Sequence, residues 1–242
     1  MNYLNNQIAV VSGASGGIGG AIAAAFAGQG ATLCLLGRDA TKLEACAKVL
    51  RGSSPRVDLQ ACDLTQDSQI ETLHSYVLRQ YGRVDILVHC AGTLDHGKLA
   101  DAPVSALDRL YRTNVRGPMI LTQKLLPLLK KPRGQIVFIN SSVGLTTRPN
   151  TGYYSATKHA FKALADSLRD EINADGVRVL SVYPGRTATP RIRALHAEEG
   201  RPYQPEHLLQ PEDIASVVLN AIALPWTAEV TDISLRSMRK SY

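Results

Sequence analysis

Tyr154 and Lys158 stand four residues apart in the stretch YSATK, at the start of a helix-like run. That spacing puts both side chains on one face of a helix. A free phenol ionises near pH ~10. A neighbouring ammonium favours the phenolate and is expected to draw that value down. A phenol so tuned can pass a proton to or from a carbinol oxygen. An ordinary exposed tyrosine and lysine on an amphipathic helix show the same spacing, so spacing alone leaves both readings open. Tyr153 lies beside Tyr154, but four positions after it comes Thr157, not a lysine.

A second stretch, SGASGGIG at residues 12–19, follows the apolar run Ile8–Val11 and precedes an alanine-rich segment. Gly13-Ala14-Ser15-Gly16-Gly17 matches G-x-S-x-G, in which the serine attacks an acyl group. Gly13, Gly17 and Gly19 also match a glycine-rich turn that receives a dinucleotide pyrophosphate. The serine elbow needs an oxyanion-hole amide from a loop after an earlier strand. Only seven residues precede this strand, so no such loop is expected. The phosphate reading needs only what is present: Gly13 for a tight turn, Gly17 and Gly19 for close approach, and a helix from Ile18 whose free amides face the anion. A plain strand-to-helix connection would use the same glycines.

The next strand ends LCLLGRDATKL. NAD-binding folds place an acid after the second strand to accept from the ribose hydroxyl. Gly37 stands at that place and Arg38 follows it. A guanidinium matches a ribose 2′-phosphate, which favours NADP over NAD. Asp39 would restore an NAD-type acid if the register moved by two, and an exposed loop charge is the ordinary reading of Arg38.

These residues are positioned by a regular alternation. Strands are expected at Ile8–Val11, Thr32–Leu36, Val57–Ala61, Ile86–Cys90, Gln135–Ile139, Val177–Val182 and Ile233–Leu235. Helices are expected at Ile18–Gly28, Thr41–Leu50, Ser68–Tyr81, Ser105–Leu129, Ala156–Ile172 and Pro211–Leu224. The pattern predicts an α/β fold: one domain over residues 1–242, a doubly wound parallel sheet of about seven strands with helices on both faces, a Rossmann fold. Ligands of such sheets gather beyond the carboxyl ends of the strands.

In this order the motifs resemble those of the short-chain dehydrogenase/reductase family, from Ser12 to Thr189. SGASGGIG is similar to its TGxxxGIG, CDLT at Cys62–Thr65 to its adenine-holding stretch, and HCAG at His89–Gly92 to its NNAG. TNVRG carries the helix asparagine Asn114, NSSVG a serine, YSATK the Tyr-x-x-x-Lys, and YPGRTAT a Pro-Gly turn. The resemblance implies that Gly13, Ser15, Gly17, Ile18 and Gly19 line the cofactor, that Asp63 and Leu64 hold the adenine, and that Cys90, Ala91 and Gly92 pack beside it. It implies that Pro184, Gly185, Thr187 and Thr189 serve the nicotinamide end. Ser141, thirteen residues before Tyr154, would hold the substrate carbonyl oxygen, although neighbouring Ser142 leaves the register open. Lys158 would also grip the nicotinamide ribose. Asn114 would bend its helix and relay protons through a water to Lys158; a helix-interior asparagine bonded to nearby backbone is the ordinary alternative. His89-Cys90 replaces an Asn-Asn pair, a change expected to be tolerated but able to loosen the central sheet.

The activity implied is hydride transfer between NADP(H) and a carbonyl or alcohol, with Tyr154 moving the proton and reduction of a ketone or aldehyde favoured. The rival reading is a non-catalytic NADP-binding redox regulator, which would need none of Asn114, Ser141, Tyr154 and Lys158. Residues 186–210, rich in charge and proline with little strand character, read as a mobile substrate lid. Arg191, Arg193 and Arg201 there could recruit an acidic substrate, but a solvated face neutralised partly by Glu198 and Glu199 is the plainer reading. His196 is expected at the surface.

The remaining composition bounds the class. The chain has 242 residues, 45% apolar and 20% charged, a globular balance. No run of 18 apolar residues and no basic amino-terminal region appear, which predicts a soluble, cytoplasmic protein without membrane contact. Cys34, Cys46, Cys62 and Cys90 form no C-x-x-C, so inert thiols are expected rather than metal ligands or disulfides. The net charge of +6 raises nucleic acid as a partner, but the longest basic cluster is Lys130-Lys131-Pro132-Arg133 and aromatics make up 5%, so none is expected. A small-molecule partner and a homodimer or homotetramer built on the long helices are the expectations. The ending VTDISLRSMRKSY predicts a last strand and a basic tail.

Overall fold

Short runs of branched apolar residues bounded by turn signals become strands because side chains on both sheet faces can be buried at once. The computed structural model describes residues 2–239, so Lys240–Tyr242 of the basic tail lie outside the described residues. The strands are β1 (Ile8–Ser12), β2 (Thr32–Gly37), β3 (Val57–Ala61), β4 (Ile86–His89), β5 (Gln135–Ile139), β6 (Arg178–Pro184) and β7 (Asp232–Leu235). They form one seven-stranded sheet in the order β3-β2-β1-β4-β5-β6-β7, parallel throughout.

The helices are α1 (Gly17–Ala27), α2 (Ala40–Leu50), α3 (Asp67–Tyr81), α4 (Val104–Tyr111), α5 (Gly117–Lys130), α6 (Gly152–Ile172), α7 (Pro190–Glu198) and α8 (Pro211–Ile222). Successive residues of a strand feed opposite layers. Ala9 and Val11 pack with Ile22 and Phe26 of α1 and Val218 of α8. Val10 packs with Ile70 of α3, Leu121 of α5 and Phe161 of α6. Among the described residues no helix is long and apolar enough to cross a membrane.

Three elements differ from expectation. The helix expected over Ser105–Leu129 is broken by a π turn at Arg112–Arg116. Pro118 has no amide proton to donate to the Asn114 carbonyl four residues back, so the α pattern cannot run through. α6 starts at Gly152, which brings Tyr154 into its first turn. Within 186–210 lies α7, where little regular structure was expected. Its signal was local: Thr189 Oγ1 accepts from Ile192 N at 3.3 Å and Pro190 opens the first turn.

The strand order reverses between β1 and β4, and a crevice opens there at the carboxyl ends. Ser12, the last residue of β1, holds the crevice together. Its hydroxyl donates to Val88 O (3.0 Å) and accepts from Cys90 N (3.1 Å) and Ala91 N (3.2 Å). One donor and two lone pairs are thereby all used, and the residue is buried. Ser12→Ala should lower stability by about 1–3 kcal/mol, since two amides beyond β4 lose their acceptor. Ser12→Thr should recover most of it. Urea denaturation of the three proteins checks this; an unchanged midpoint in Ser12→Ala would count against the clamp.

Candidate active site

A cleft of about 1330 Å³ occupies the carboxyl ends of the strands. One end is built by the glycine turn. Gly13 has φ +70°, and a Cβ there would lie 2.7 Å from Ala91 N, so only glycine lets β1 and the β4 exit meet. Gly17 also sits in the left-handed region, at φ +56°. Gly19 does not line the cleft; a side chain on it would collide with the Gly13 carbonyl, which makes it a packing glycine behind the turn. No side chain caps α1 at Gly16 and its first turn holds no acid. Its leading amides are therefore left for an anion beside Ser15 and Ile18, which line the cleft.

Gly37, Arg38 and Lys42 line the neighbouring wall, and Asp39 does not. Asp39 caps α2 instead, accepting from Lys42 N at 3.0 Å, and that bond holds its carboxyl below the usual range. The acid left open by the sequence is thus occupied locally. Asp63 and Leu64 line the cleft as well. Asp63 Oδ1 accepts from Thr65 N and Thr65 Oγ1, both at 2.9 Å, which fixes the turn after β3.

At the other end Ser141, Tyr154 and Lys158 line the cleft together. Tyr153 is turned away and buried with Ala106 and Leu110. Ser142 also reaches the cleft, but it is Ser141 whose hydroxyl hydrogen-bonds Tyr154 and eases its ionisation. Lys158 is 5% exposed; its Nζ lies 5.9 Å from the centre of the Tyr154 ring and donates to Ile139 O at 3.3 Å. Burial pulls Lys158 down to about 8, and the positive charge of Arg191 adds to that. The phenol departs from expectation. Burial raises Tyr154 above the ordinary tyrosine value, and the opposing pull comes from Ser141 and Arg191 rather than Lys158.

Asn114 stands behind this group, off the cleft wall. Its Oδ1 accepts from Thr93 N (2.7 Å), and its Nδ2 donates to Thr93 O (2.8 Å) and Thr157 Oγ1 (3.2 Å). The side chain staples the π turn to the segment after β4 and to α6, rather than serving its own helix. Asn140 makes a similar tie, donating from Nδ2 to Lys158 O at 3.1 Å.

Cys90, Ala91 and Gly92 line the cleft where β4 ends. His89 and Cys90 face opposite layers. His89 packs against Phe138 and Phe161, and Cys90 joins the α1 and α8 side. Burial takes His89 down to about 3, so the ring is neutral. Thr122 Oγ1 already donates to Pro118 O at 2.9 Å, so it accepts from His89 Nε2 at 2.7 Å. The replacement of Asn-Asn thus gains a packed ring with one hydrogen bond. The four cysteines are free thiols, and burial pushes Cys34 up to about 12.

The cleft is closed by the β6–α7 connection. Pro184, Gly185, Thr187 and Thr189 line it, with Thr187 Oγ1 donating to Gly185 O at 3.1 Å. The backbones of Thr187 and Leu209 pair, drawing the two ends of the 186–210 segment together. Glu199 at the end of α7 accepts from Arg186 at 2.7 Å and lies 3.5 Å from His96 and 3.6 Å from Arg201. The Arg186 bond holds its carboxyl below the usual range. Arg191 and Arg201 line the cleft, whereas Arg193 stacks on Tyr203. His196 is buried rather than at the surface, its Nδ1 3.0 Å from Pro202 O and its ring edge-on to Tyr203. Sequence reading missed Ser12, Lys42, Asn140 and Arg186; it offered Glu199 as a partner of the lid arginines, and the structure pairs it with Arg201 and adds Arg186 and His96. Ser12 adjoins the glycine turn and Lys42 sits one helical turn past Arg38, so position could have suggested both. Nothing local marks the others.

A family model described as short chain dehydrogenase matches residues 7–200. An uncharacterized oxidoreductase of Staphylococcus epidermidis is 32% identical over 237 residues, 98% of this chain and 99% of that protein. Glycine betaine reductase of Emericella nidulans is 34% identical over 235 residues, 95% of this chain but 18% of that protein. Among solved structures, alcohol dehydrogenase from the archaeon Thermococcus sibiricus, complexed with 5-hydroxy-NADP, superposes with a TM-score of 0.86 at 30% identity, over 98% of this chain and 99% of that one.

Burying an ammonium at Lys158 costs stability below about pH 8, where native and unfolded chains both hold the proton. As pH rises from there toward the ordinary lysine value, only the unfolded chain keeps it, and the native protein gains. Lys158→Met should therefore be more stable than the parent by on the order of 1–3 kcal/mol at pH 7. The difference should shrink between about pH 8 and 10. Melting temperatures across pH check both the sign and the window.

Proposed function

The chain belongs to the short-chain dehydrogenase family, and from that premise we propose that it reduces a ketone or aldehyde with NADPH, Tyr154 supplying the proton. The observation that carries this reading is the meeting of Ser141, Tyr154 and Lys158 in one cleft with the glycine turn, while Tyr153 is turned away. NADPH, when bound, supplies a hydride from its nicotinamide ring. The residues present fit such a dinucleotide: Gly13 and Gly17 leave room where side chains would intrude, and the uncapped start of α1 presents amides to its pyrophosphate.

Arg38, with Lys42 beside it, would hold the ribose 2′-phosphate, and the capping role of Asp39 removes the acid that would favour NAD. The 5-hydroxy-NADP in the Thermococcus alcohol dehydrogenase supports the same choice. Asp63 and Leu64 would serve the adenine, Cys90 to Gly92 the flank of the cofactor, and Pro184, Gly185, Thr187 and Thr189 the nicotinamide end.

Ser141 would donate a hydrogen bond to the substrate carbonyl oxygen and so raise its electrophilicity. Tyr154 would give its proton to that oxygen as the alkoxide forms. Burial raises the phenol further above neutral pH, so it rests protonated, as a proton donor must. Lys158 would hold the nicotinamide ribose and, as an ammonium in a low-dielectric site, stabilise the charge left on Tyr154. Asn114 positions it by fixing Thr93 and Thr157. Residues 186–210 would act as a lid, latched by Glu199 to Arg186 and His96.

Tyr154→Phe should cut turnover by about 10²- to 10⁴-fold. Its dissociation constant for NADPH should stay within about threefold, because the ring remains. Stopped-assay kinetics and fluorescence titration read the two, and full activity would remove Tyr154 from the mechanism. Arg38→Asp should lower the NADPH-to-NADH ratio of kcat/KM by about 10- to 100-fold, the worth of a lost charge-assisted contact. An unchanged ratio would take Arg38 out of cofactor selection.

A further inference from the structure

The cleft holds more positive charge at its reacting end than its own acids neutralise. Asp95 is tied to Arg109, and Glu199 is shared among Arg186, Arg201 and His96. Lys42 pairs with Asp39 at 3.6 Å by the far wall. Four guanidiniums remain: Arg38, given above to the ribose 2′-phosphate, Arg236 beside Gly185, and two others. Arg148, on the connection from β5 to α6, and Arg191, on α7, both line the cleft, and neither pairs with an acid among the described residues.

Their placement flanks the reacting groups in sequence, on the wall of the same cleft. Arg148 lies on the connection that carries Ser141 into the cleft, and Arg191 follows the Pro184-Gly185 turn. The charge of Arg191 is felt at both Tyr154 and Lys158, in each case against the protonated form. Both side chains are exposed on the cleft wall, so each is free to meet an anion that enters. Leu94, Leu145 and Leu195 add apolar wall to the cleft.

We infer that the substrate of the reduction is a carbonyl compound bearing an anionic group, a carboxylate or a phosphate, held by Arg148 and Arg191 while its carbonyl oxygen meets Ser141 and Tyr154. This inference rests on the reduction reading. A guanidinium binds either anion through two parallel hydrogen bonds.

The test pairs charged and neutral probes in an NADPH-coupled assay of the full chain. The pairs are 4-carboxybenzaldehyde with its methyl ester, 4-oxopentanoate with its methyl ester, and dihydroxyacetone phosphate with dihydroxyacetone. At least one anionic member should exceed its neutral partner in kcat/KM by about 10- to 100-fold. Which pair shows it separates carboxylate from phosphate. In Arg148→Gln/Arg191→Gln that preference should fall toward one, and Arg148→Lys/Arg191→Lys should restore part of it. Neutral members reduced as well as charged ones in every pair would overturn the inference and leave the reduction reading standing. An Arg191→Gln protein with a raised KM for NADPH and an intact preference would assign Arg191 to the dinucleotide and also overturn it. Failure to reduce any probe would overturn both.

Discussion

One buried ammonium sets the terms for the rest of the site. Lys158 is almost fully enclosed, and Ile139 O is its hydrogen-bond acceptor from the protein. A charge in that setting is tolerated only if the surrounding backbone is held in place for it. Asn140 ties the carbonyl of Lys158 to the end of β5, and Asn114 ties the exit of β4 to α6 through Thr93 and Thr157. A Cβ on Gly92 would lie 3.2 Å from Asn114 Oδ1 and 3.9 Å from Lys158 Nζ, which shows how closely the β4 exit approaches. The ends of two strands, a π turn and the first turns of α6 therefore converge on one nitrogen.

The crevice itself depends on two backbones approaching where side chains would keep them apart. Ser12 reaches across from β1 to the two amides beyond β4, and Gly13 follows with a conformation that leaves Ala91 room. The break between α4 and α5 belongs to the same construction. Gly117 packs so near Leu64 that a side chain would collide with its carbonyl, and Pro118 removes the amide that an unbroken helix would need. The π turn places Asn114 over Thr93, so the irregularity of the helix and the rigidity of the cleft have a single origin.

What was legible in the sequence is what local rules determine. Parallel strands buried on both faces write themselves as apolar runs, and the seven expected strands match those of the sheet to within a residue or two. The i to i+4 relation distinguished Tyr154 from Tyr153, because helical phase is a local property, and their burial separates them in the same way. What was not legible depends on distant partners. The π turn at Arg112–Arg116 had a local signal in Pro118, but the contact of Asn114 with Thr93, the burial of His196 against Pro202 and Tyr203, and the pairing of Glu199 with Arg186 and His96 had none. α7 is an intermediate case: Thr189-Pro190 is a sound helix start, but the charges and prolines around it read as loop.

The sign of the Tyr154 shift carries the same lesson into the chemistry. Spacing alone placed an ammonium near a phenol and predicted easier ionisation. Burial acts on both partners at once, raising the phenol and lowering the amine, so each is driven toward its neutral form. A phenol in that position holds its proton at neutral pH and is an acid before it is a base. A phenolate there would be favoured by the Ser141 hydroxyl and by the charge of Arg191, and these count for more where water is excluded. Enclosure that disfavours the phenolate therefore also strengthens the interactions that would receive its charge, and both effects follow from the desolvation of Tyr154.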